Sequence, residues 1–551
     1  MLDTTRADGR KSIRWCRIAH DTMTRRTTWL DAIRRPGARA TGVAVLVVCL
    51  LIAYRAILFV AFEQAGFDSD QATFGLMAKH ISQGRAFPVY PYGESYMLAV
   101  ESWFVAPFFL VFGVSVASLK LPLLVLNMLI GILLFAGLVR ESRLPPGTAS
   151  IAALFFVLPA PAIAAGLVNS GGGNIEPFLA SLLLWFTRAR PLAFGVILAV
   201  GLLNREFTAY ALAALLVLDA LDRSMFTRAY VQTKAVALVA FGATWQLVAG
   251  LRPFASVYGP GTSVLTLPPP TADTLGARAC VDVATLPERL VHLFGGYLGT
   301  IVGGQTIPAH ELLVNSTLDL GVPGLWWIVG GLLLLSVGRV GWRTAVDGVR
   351  PWHGRSKFAM YLFLVGLQAA VFYAVSRCGP LHFATLRYVL LVVFGLSGLT
   401  ACHLTLEPSR TFRALALAAP LLLAVGAGIT HARLLVEYVQ SPPMPTRRVL
   451  ANYLVDHGIR FGHAPFWEAY HINFLTNERV RLASSVPRIL EYQWLFEGHP
   501  DEAVIIQYRS CEGGVRVADA YYVCAPLGPS ATAPDGGPRA TTTGGPDPEA
   551  P

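Results

Sequence analysis

Long apolar runs separated by short polar segments constrain the fold of this chain more than any other feature. A helix needs ~20 predominantly apolar residues to cross a membrane, and residues 41–60 form the first such run. Further runs lie at residues 119–139, 148–166, 176–187, 192–204, 207–221, 234–251, 322–338, 359–375, 386–404 and 412–430. The pattern predicts a polytopic α-helical membrane protein with about eleven transmembrane helices.

The composition agrees with a membrane protein. Of the 551 residues, 54% are hydrophobic and 14% are charged, and the mean hydropathy is +0.52. Soluble domains carry about 25% charged residues. The net charge of +10 comes mainly from Lys and Arg in the short segments between apolar runs. This distribution is typical of cytoplasmic loops and not of a nucleic-acid-binding face, so we expect membrane lipids and no nucleic acid as partners.

The basic connecting segments predict the orientation. They alternate along the chain at residues 139–143, 187–190, 222–234, 338–357 and 407–413. By the positive-inside rule these segments are cytoplasmic, together with a basic N-terminal arm over residues 1–40. The first outer loop is then 61–118, and everything after about residue 431 is extracytoplasmic. We predict a multi-pass protein of the plasma (inner) membrane with its N-terminus inside.

The outer segments carry structure of their own. In the first outer loop, FGLMAKHIS and residues 97–113 have apolar residues at helical spacing, as does 286–300 in a later loop. These patterns predict amphipathic helices on the outer bilayer surface, in loops of the transmembrane domain of residues 41–430, whose catalytic outer loop would be 61–118. A small α/β domain is predicted over residues 440–528, because a helical pattern there is followed by short strand patterns. The Pro- and Gly-rich tail over 529–551 is predicted to be disordered.

Two aspartates begin the first of these helices. Asp68 fits an N-cap with Gln71 as its reciprocal partner in a capping box, and Gly84 is placed to end the helix. Asp70 lies at the second helical position, where the helix dipole stabilises an acid by only a few tenths of a kcal/mol. The pattern alone leaves surface charge and functional acid as equal interpretations of Asp70.

Five segments of the chain carry a family resemblance. They are DSDQATFGLMAKHISQG (68–84), PVYPYGESYMLAVESWFVAPFFLVFG (88–113), GGGNIEPFLASLLL (171–184), LRYVLL (386–391) and GIRFGHAPFWEAYHINFLTNERVRLAS (458–484). Together they resemble the integral-membrane GT-C glycosyltransferases, and within them the family 39 or dolichyl-phosphate-mannose–protein mannosyltransferase-like bacterial group. The resemblance implies a hexosyltransferase-type enzyme that moves a sugar from a polyprenyl-phosphate donor to a hydroxyl of a glycan, lipid or protein acceptor. Transfer would occur on the extracytoplasmic face, with inversion.

The resemblance also implies catalytic residues. Asp70 matches the family's catalytic acid and Glu101 matches the second acid of the same loop, while Asp68 completes the candidate catalytic group. A carboxylate beside the acceptor hydroxyl can act as general base. The family follows its Asp with Glu, whereas this chain has Gln71. That departure argues against a metal site built on the neighbouring pair. We predict no metal ligands and leave a divalent metal as the one cofactor not excluded.

Candidates for substrate binding lie at the ends of later apolar runs. A leaving phosphate needs cationic partners, and the fork of an Arg side chain suits phosphate oxygens. Arg387 with Tyr388 matches the family's RY pair, and Arg205 and Glu176 are further candidates. Anchoring to lipid headgroups is the alternative for each Arg. Stabilisation of a helix N-terminus is the alternative for Glu176.

Other polar side chains receive structural interpretations. Arg55, near the outer end of the first run, is predicted to extend to the lipid headgroups, and a functional charge inside the membrane is the alternative. Lys79 and His80 are predicted to lie on the solvated face of a surface helix. The sequence spacing does not support His292 and His310 as metal ligands with Asp70.

The cysteine pattern does not indicate a metal site. Seven cysteines are present, with no CxxC pair. Cys511 with Cys524 and Cys280 with Cys378 are disulfide candidates if the predicted outer side is oxidising, and unpaired thiols are the alternative.

Two other function classes fit a polytopic chain. A lipid or glycan transporter or flippase without transferase activity would favour repeated halves and charges in mid-span. A non-catalytic membrane scaffold would tolerate the change to Gln71. Because the acidic candidates fall in outer loops beside an extracytoplasmic domain, we expect the enzyme.

Overall fold

The computed structural model describes residues 38–94, 97–251, 284–304, 307–308, 316, 318–375 and 383–524. The first ten helices are α1 (Ala38–Ala61), α2 (Ser69–Ser82), α3 (Val100–Phe112), α4 (Val116–Arg140), α5 (Pro146–Ala152), α6 (Leu154–Val157), α7 (Pro161–Leu167), α8 (Glu176–Thr187), α9 (Pro191–Asn204) and α10 (Thr208–Leu221). Next come α11 (Arg228–Leu251), α12 (Leu286–His292), α13 (Leu298–Ile301), β1 (Ile307–Pro308), β2 (Asp319–Leu320), α14 (Leu325–Ala345), α15 (Lys357–Val375), α16 (Val392–Leu406) and α17 (Arg410–Gln440). The C-terminal domain contains α18 (Thr446–Asp456), β3 (Phe461–Ala464), α19 (Phe466–Leu475), β4 (Arg481–Ser484), α20 (Leu490–Gly498), β5 (Val504–Gln507), β6 (Val515–Val517) and β7 (Tyr521–Cys524).

The membrane region is built from long apolar helices. Among the described residues, seven helices are long and apolar enough to cross a membrane: α1, α4, α11, α14, α15, α17 and α16 with the turn before it. Helices α3, α8, α9 and α10 are apolar but shorter. The last three coincide with the predicted runs 176–187, 192–204 and 207–221. The predicted fold class, a polytopic helical membrane protein with a small C-terminal α/β domain, is confirmed.

The apolar run 148–166 was expected to be one transmembrane helix, and that prediction is wrong. The segment is divided into α5, α6 and α7. Pro159 and Pro161 interrupt it because proline has no N–H and clashes with the preceding turn. Backbone carbonyls released in this way need other donors inside a membrane protein. Arg55 Nε donates to Val157 O at 3.1 Å, and His431 Nε2 lies 3.1 Å from Pro159 O.

Arg55 is buried, so the prediction that it extends to the headgroups is wrong. Its side chain is fully enclosed. One terminal nitrogen, NH2, donates to Asn127 Oδ1 at 2.6 Å, and the guanidinium lies over the Phe156 ring. Asn127 in turn donates to Leu167 O at 2.8 Å, at the end of α7. Arg55 and Asn127 therefore satisfy the broken segment from within the helix bundle.

The C-terminal domain is a five-stranded mixed sheet with strand order β4-β3-β5-β7-β6. Strand β3 pairs in parallel with β4 and β5, and α19 and α20 make the two crossovers. Gly462 lies where the strands approach closely, since a Cβ there would be 2.6 Å from Val504 O. A disulfide joins Cys511 to Cys524 at the end of β7. The other candidate pair, Cys280 and Cys378, lies outside the described residues.

Helix α2 of the first loop packs against the C-terminal domain. Leu76 and Met77 of α2 share one buried apolar cluster with Tyr470 and Phe474 of α19. Gly75 permits the close approach, because a Cβ there would lie 2.4 Å from the Phe474 ring. The first loop and the C-terminal domain thus form one packed unit.

Lys79 and His80 lie inside this unit, so the prediction of a solvated face is wrong. Both side chains are buried. Lys79 Nζ is 2.5 Å from Glu478 Oε2, His80 Nε2 is 3.1 Å from Glu478 Oε1, and Tyr492 OH donates to that same Oε1 at 2.8 Å. Burial acts to raise the pKa of Glu478, but His80 and Lys79 outweigh it and hold this pKa well below its usual range.

Candidate functional site

The two aspartates at the start of α2 have different surroundings. Asp68 is the N-cap, and its carboxylate accepts the Gln71 N–H at 2.9 Å, as predicted. The Gln71 side chain does not close the capping box. It donates to Gly66 O at 2.6 Å and receives the Ser170 N–H at 3.4 Å. Burial and the neighbouring Asp70 carboxylate raise the pKa of Asp68.

Asp70 is half-buried in the first turn of α2 and faces a cation from the C-terminal domain. Its Oδ1 lies 3.4 Å from Arg488 NH2. The same guanidinium lies 3.2 Å from Glu94 Oε1 and donates to Tyr92 O at 3.3 Å. Gly93 makes room for it, with a φ of 70° and a Cβ position 2.8 Å from Arg488 Cγ. Arg488 was not predicted from the sequence, because it is 418 residues from Asp70 along the chain.

A three-glycine loop, Gly171–Gly173, connects Asp70 to the other candidates. A Cβ on Gly171 would lie 3.9 Å from Asp70 Cβ. Gly172 and Gly173 both have a φ of 78°, a conformation that favours glycine. A Cβ on Gly173 would lie 2.1 Å from Arg205 Nε, so a larger residue cannot stand there without moving this Arg. These glycines begin one of the segments that carry the family resemblance, but the sequence alone does not predict their role in holding the site.

Glu101, Glu176 and Arg205 meet on the far side of this loop. Glu101 is 3% exposed and its Oε2 accepts the Gly172 N–H at 2.9 Å. Arg205 NH2 donates to Gly172 O at 2.9 Å. Glu101 lies on α3, which is not one of the seven long membrane-spanning helices. Burial and the nearby Glu176 carboxylate raise the pKa of Glu101 well above its usual range. Two adjacent buried carboxyl groups can satisfy each other only when one of them holds a proton.

Several polar atoms beside these acids have no hydrogen-bond partner within the part of the chain that the structure describes. They are Arg205 Nε, the side-chain amide of Asn204 and the hydroxyl of Thr208, all buried. Buried polar atoms in folded proteins are nearly always hydrogen-bonded to protein or ordered water. The end of α9 and the start of α10 therefore offer polar groups that a ligand or solvent can satisfy.

Arg387 and Tyr388 lie at the edge of this site, on the 3₁₀ turn Phe383–Val389. Arg387 is exposed, its guanidinium lies over the Tyr388 ring, and its NH2 is 3.4 Å from Tyr388 OH. Tyr388 packs edge-on against Phe207, two residues after Arg205, with ring centroids 5.7 Å apart.

The structure thus brings together Asp70, Glu101, Glu176 and Arg205, and Asp68 lies two residues before Asp70. No cluster of three or more His, Cys, Asp or Glu side chains in the described ranges is arranged to hold a metal ion. His292 lies 3.6 Å from Glu288, and His310 falls outside the described residues.

Comparisons with known proteins place the fold. No protein-family model and no curated protein matches the chain. Among solved structures, the chain is similar to ArnT from Cupriavidus metallidurans in the apo state, with a TM-score of 0.53 and 12% identity over 89% of this chain and 98% of that one. It is also similar to the same ArnT bound to undecaprenyl phosphate, with a TM-score of 0.54 and 13% identity over 89% of this chain and 99% of that one. The likeness shows the fold alone, while the GT-C superfamily and the narrower family 39 resemblance stay predictions.

Proposed function

We propose that this integral membrane protein is a glycosyltransferase. It transfers a sugar from a polyprenyl-phosphate donor to an acceptor hydroxyl on the extracytoplasmic face, with inversion. The observation that carries the proposal is the meeting of three acids and Arg205 around Gly171–Gly173, in a chain with the fold of ArnT. The structure of ArnT with undecaprenyl phosphate supports a donor of this lipid class.

Asp70 is the proposed general base. The acceptor hydroxyl loses a proton as it attacks, and a carboxylate in hydrogen-bond reach can take that proton. Asp70 suits this role because it is half-buried, and Arg488 holds it from one side at 3.4 Å. Asp68 caps the helix by accepting the Gln71 N–H, so its proposed role is to fix the start of α2.

Arg205 and Arg387 are the proposed cationic partners of the leaving phosphate. Arg205 is fixed by its bond to Gly172 O while its Nε stays available, and Arg387 is exposed at the edge of the site. Guanidinium groups stabilise negative charge that develops on phosphate oxygens. Glu101 and Glu176, buried as a pair, are proposed to position the sugar by hydrogen bonds to its hydroxyl groups.

The activity is tested with purified protein in nanodiscs supplied with radiolabelled undecaprenyl-phosphate sugars. We expect sugar release or transfer by the unmodified protein. Asp70→Asn should lower turnover by about 10²- to 10⁴-fold, the usual contribution of a general base. Asp501→Asn, at an exposed position of the C-terminal domain, is the matched control. Equal turnover in both variants would remove Asp70 from the mechanism, and no turnover with any lipid-linked sugar would refute the proposed activity.

A further inference from the structure

A second concave site lies on the C-terminal domain, away from the acids described above. It is a cleft of about 430 Å³ between the end of α18 and the starts of β3 and β4. Its polar lining consists of Arg460, Glu478, Arg479 and Arg481. Glu478 also binds Lys79 near the end of α2. Asp70 lies nine residues before Lys79 on that helix, about 14 Å away along the helix axis at 1.5 Å per residue.

The charges in this cleft are not balanced. Glu478 is already engaged by Lys79 and His80, and by Arg85 NH1 at 3.4 Å. Across the described part of the chain, no carboxylate is ion-paired with Arg460 or Arg479, and both side chains are exposed. The cleft therefore presents a positive field to solvent.

Arg481 adds a third guanidinium with little neutralisation. Its NH1 lies 3.8 Å from Glu491 Oε1, and Glu491 also serves Arg85 at 3.4 Å. Its Nε donates to Glu478 O at 3.3 Å, which fixes the direction of the side chain. Arg479 Nε is held in the same way by Thr476 O at 3.3 Å. Two of the three Arg side chains, Arg479 and Arg481, are thus held through Nε.

We propose that this cleft binds a phosphate group carried on an organic ligand. Planar guanidinium forks match phosphate oxygens two at a time, and an ammonium group does not. The remaining lining is apolar and includes Val455, Ile459 and Val480, which suits the organic part of a phosphate ester better than free phosphate. A cleft of about 430 Å³ has the size of small-molecule sites. The phosphate belongs either to a soluble sugar phosphate or to a phospholipid headgroup, and the test below separates these sources.

Binding is measured on the full chain in nanodiscs of neutral phosphatidylcholine, with glucose 1-phosphate as the soluble probe. A second sample uses nanodiscs containing phosphatidylglycerol, and lipid retained by the protein is counted by native mass spectrometry. We expect saturable binding of one probe that weakens as ionic strength rises. The double variant Arg460→Gln/Arg479→Gln should lower that affinity at least about ten-fold, since each exchange removes a charged hydrogen-bond donor.

The control is Arg509→Gln/Arg516→Gln, which removes the same charge from the same domain. Arg516 lies on β6, at the opposite edge of the sheet from β4. Both cleft positions are exposed, so the double variant should keep the thermal unfolding temperature of the unmodified protein. Loss of glucose 1-phosphate binding in the cleft variant alone identifies a soluble ligand, and loss of retained phosphatidylglycerol alone identifies a lipid headgroup. No saturable binding of either probe, or an equal loss in both double variants, would overturn the proposal. This test does not depend on the proposed transfer reaction, because it measures binding to the cleft and not sugar transfer.

Discussion

Asp68 and Asp70 are close together in the sequence but have different hydrogen-bond and ion-pair partners. Asp68 is bonded to the Gln71 N–H and fixes the first turn of α2. Asp70 is partly exposed, and its Oδ1 lies 3.4 Å from Arg488 NH2. Since a proton acceptor must reach its substrate, exposure and restraint together favour Asp70 as the base.

Arg488 is predicted to be a positioning residue for Asp70. Arg488→Gln removes its contacts with Asp70 and Glu94. We expect kcat to fall about ten-fold while KM for the lipid donor changes by less than about two-fold, because orientation of the base is lost and donor binding is not. Arg488→Lys should recover part of kcat, and Arg516→Gln should have no effect. A rise in KM at unchanged kcat would assign Arg488 to donor binding.

Glu101 makes a pH-dependent contribution to stability. Its pKa in the folded protein lies above the ordinary value of 4.5, so the folded state holds the proton more tightly than the unfolded chain. The contribution is fully present below about pH 4.5 and is lost as pH rises through the folded pKa. Glu101→Gln mimics the protonated form, so thermal unfolding should show it gaining on the unmodified protein as pH rises.

Glu101→Ala is the matched comparison. It leaves the buried Gly172 N–H without its acceptor, so its free energy of unfolding should lie about 1–3 kcal/mol below that of Glu101→Gln at every pH. A difference between Glu101→Gln and the unmodified protein that is constant with pH would contradict the role given to the proton.

Part of the site could be predicted from the sequence. Asp70 and Glu101 belong to one loop, so their proximity follows from a short stretch of chain. Arg488 could not be predicted, because its contact with Asp70 crosses 418 positions and depends on where the C-terminal domain docks. The Gly171–Gly173 loop signalled an unusual backbone, but the sequence does not say which side chains would approach it.

At the scale of elements, α2 links the candidate site to the C-terminal domain. Its first turn carries Asp70, and its last turns carry Lys79 and His80, which bind Glu478. The helical pattern of α2 was predicted, but its polar residues were assigned to solvent because a sequence alone does not reveal the domain that covers them. The prediction of one helix over 148–166 was wrong for a related reason. Two prolines interrupt the segment, and the donors that bind its released carbonyls come from helices distant in the sequence.

Docking of the C-terminal domain is predicted to depend on Glu478. Glu478→Gln leaves the Lys79 ammonium buried without a carboxylate, which should lower the free energy of unfolding by about 3–5 kcal/mol. Hydrogen exchange in α2 should quicken at the same time. Because the pKa of Glu478 is depressed, the contribution is present above about pH 4.5 and is lost as pH falls.

The control for this prediction is Glu497→Gln. Glu497 lies on α20, where its carboxylate accepts an exposed hydrogen bond from Gln493 at 3.0 Å. This exchange should change the unfolding temperature little. If exchange in α2 is unaltered by Glu478→Gln, the network does not hold the domain in place.

At the scale of the whole molecule, a helical membrane region carries an α/β domain that reaches back to the first loop. The membrane class and the domain order follow from hydropathy, since apolar length is a local property of the sequence. Sidedness rests on the distribution of Arg and Lys and stays a prediction.

The disulfide provides a test of sidedness. Disulfides persist in oxidising compartments, so Cys511–Cys524 should form only if the C-terminal domain is extracytoplasmic. In intact cells, a variant that keeps only these two cysteines should react with a maleimide reagent after reduction and not before. Loss of the bond should lower the stability of the domain by about 3 kcal/mol. Immediate labelling without reductant, with full labelling in detergent as control, would place the domain in the cytoplasm.

The broken segment α5–α7 has a consequence for biogenesis. Its released carbonyls are satisfied by Arg55 of α1, Asn127 of α4 and His431 of α17. The first two donors leave the ribosome before the segment and the third follows more than two hundred residues later, since His431 and Pro159 are 272 positions apart. The membrane region therefore cannot reach its final packing until nearly all of it has been inserted, because a nascent chain that ends before α17 lacks the His431 contact with Pro159 O.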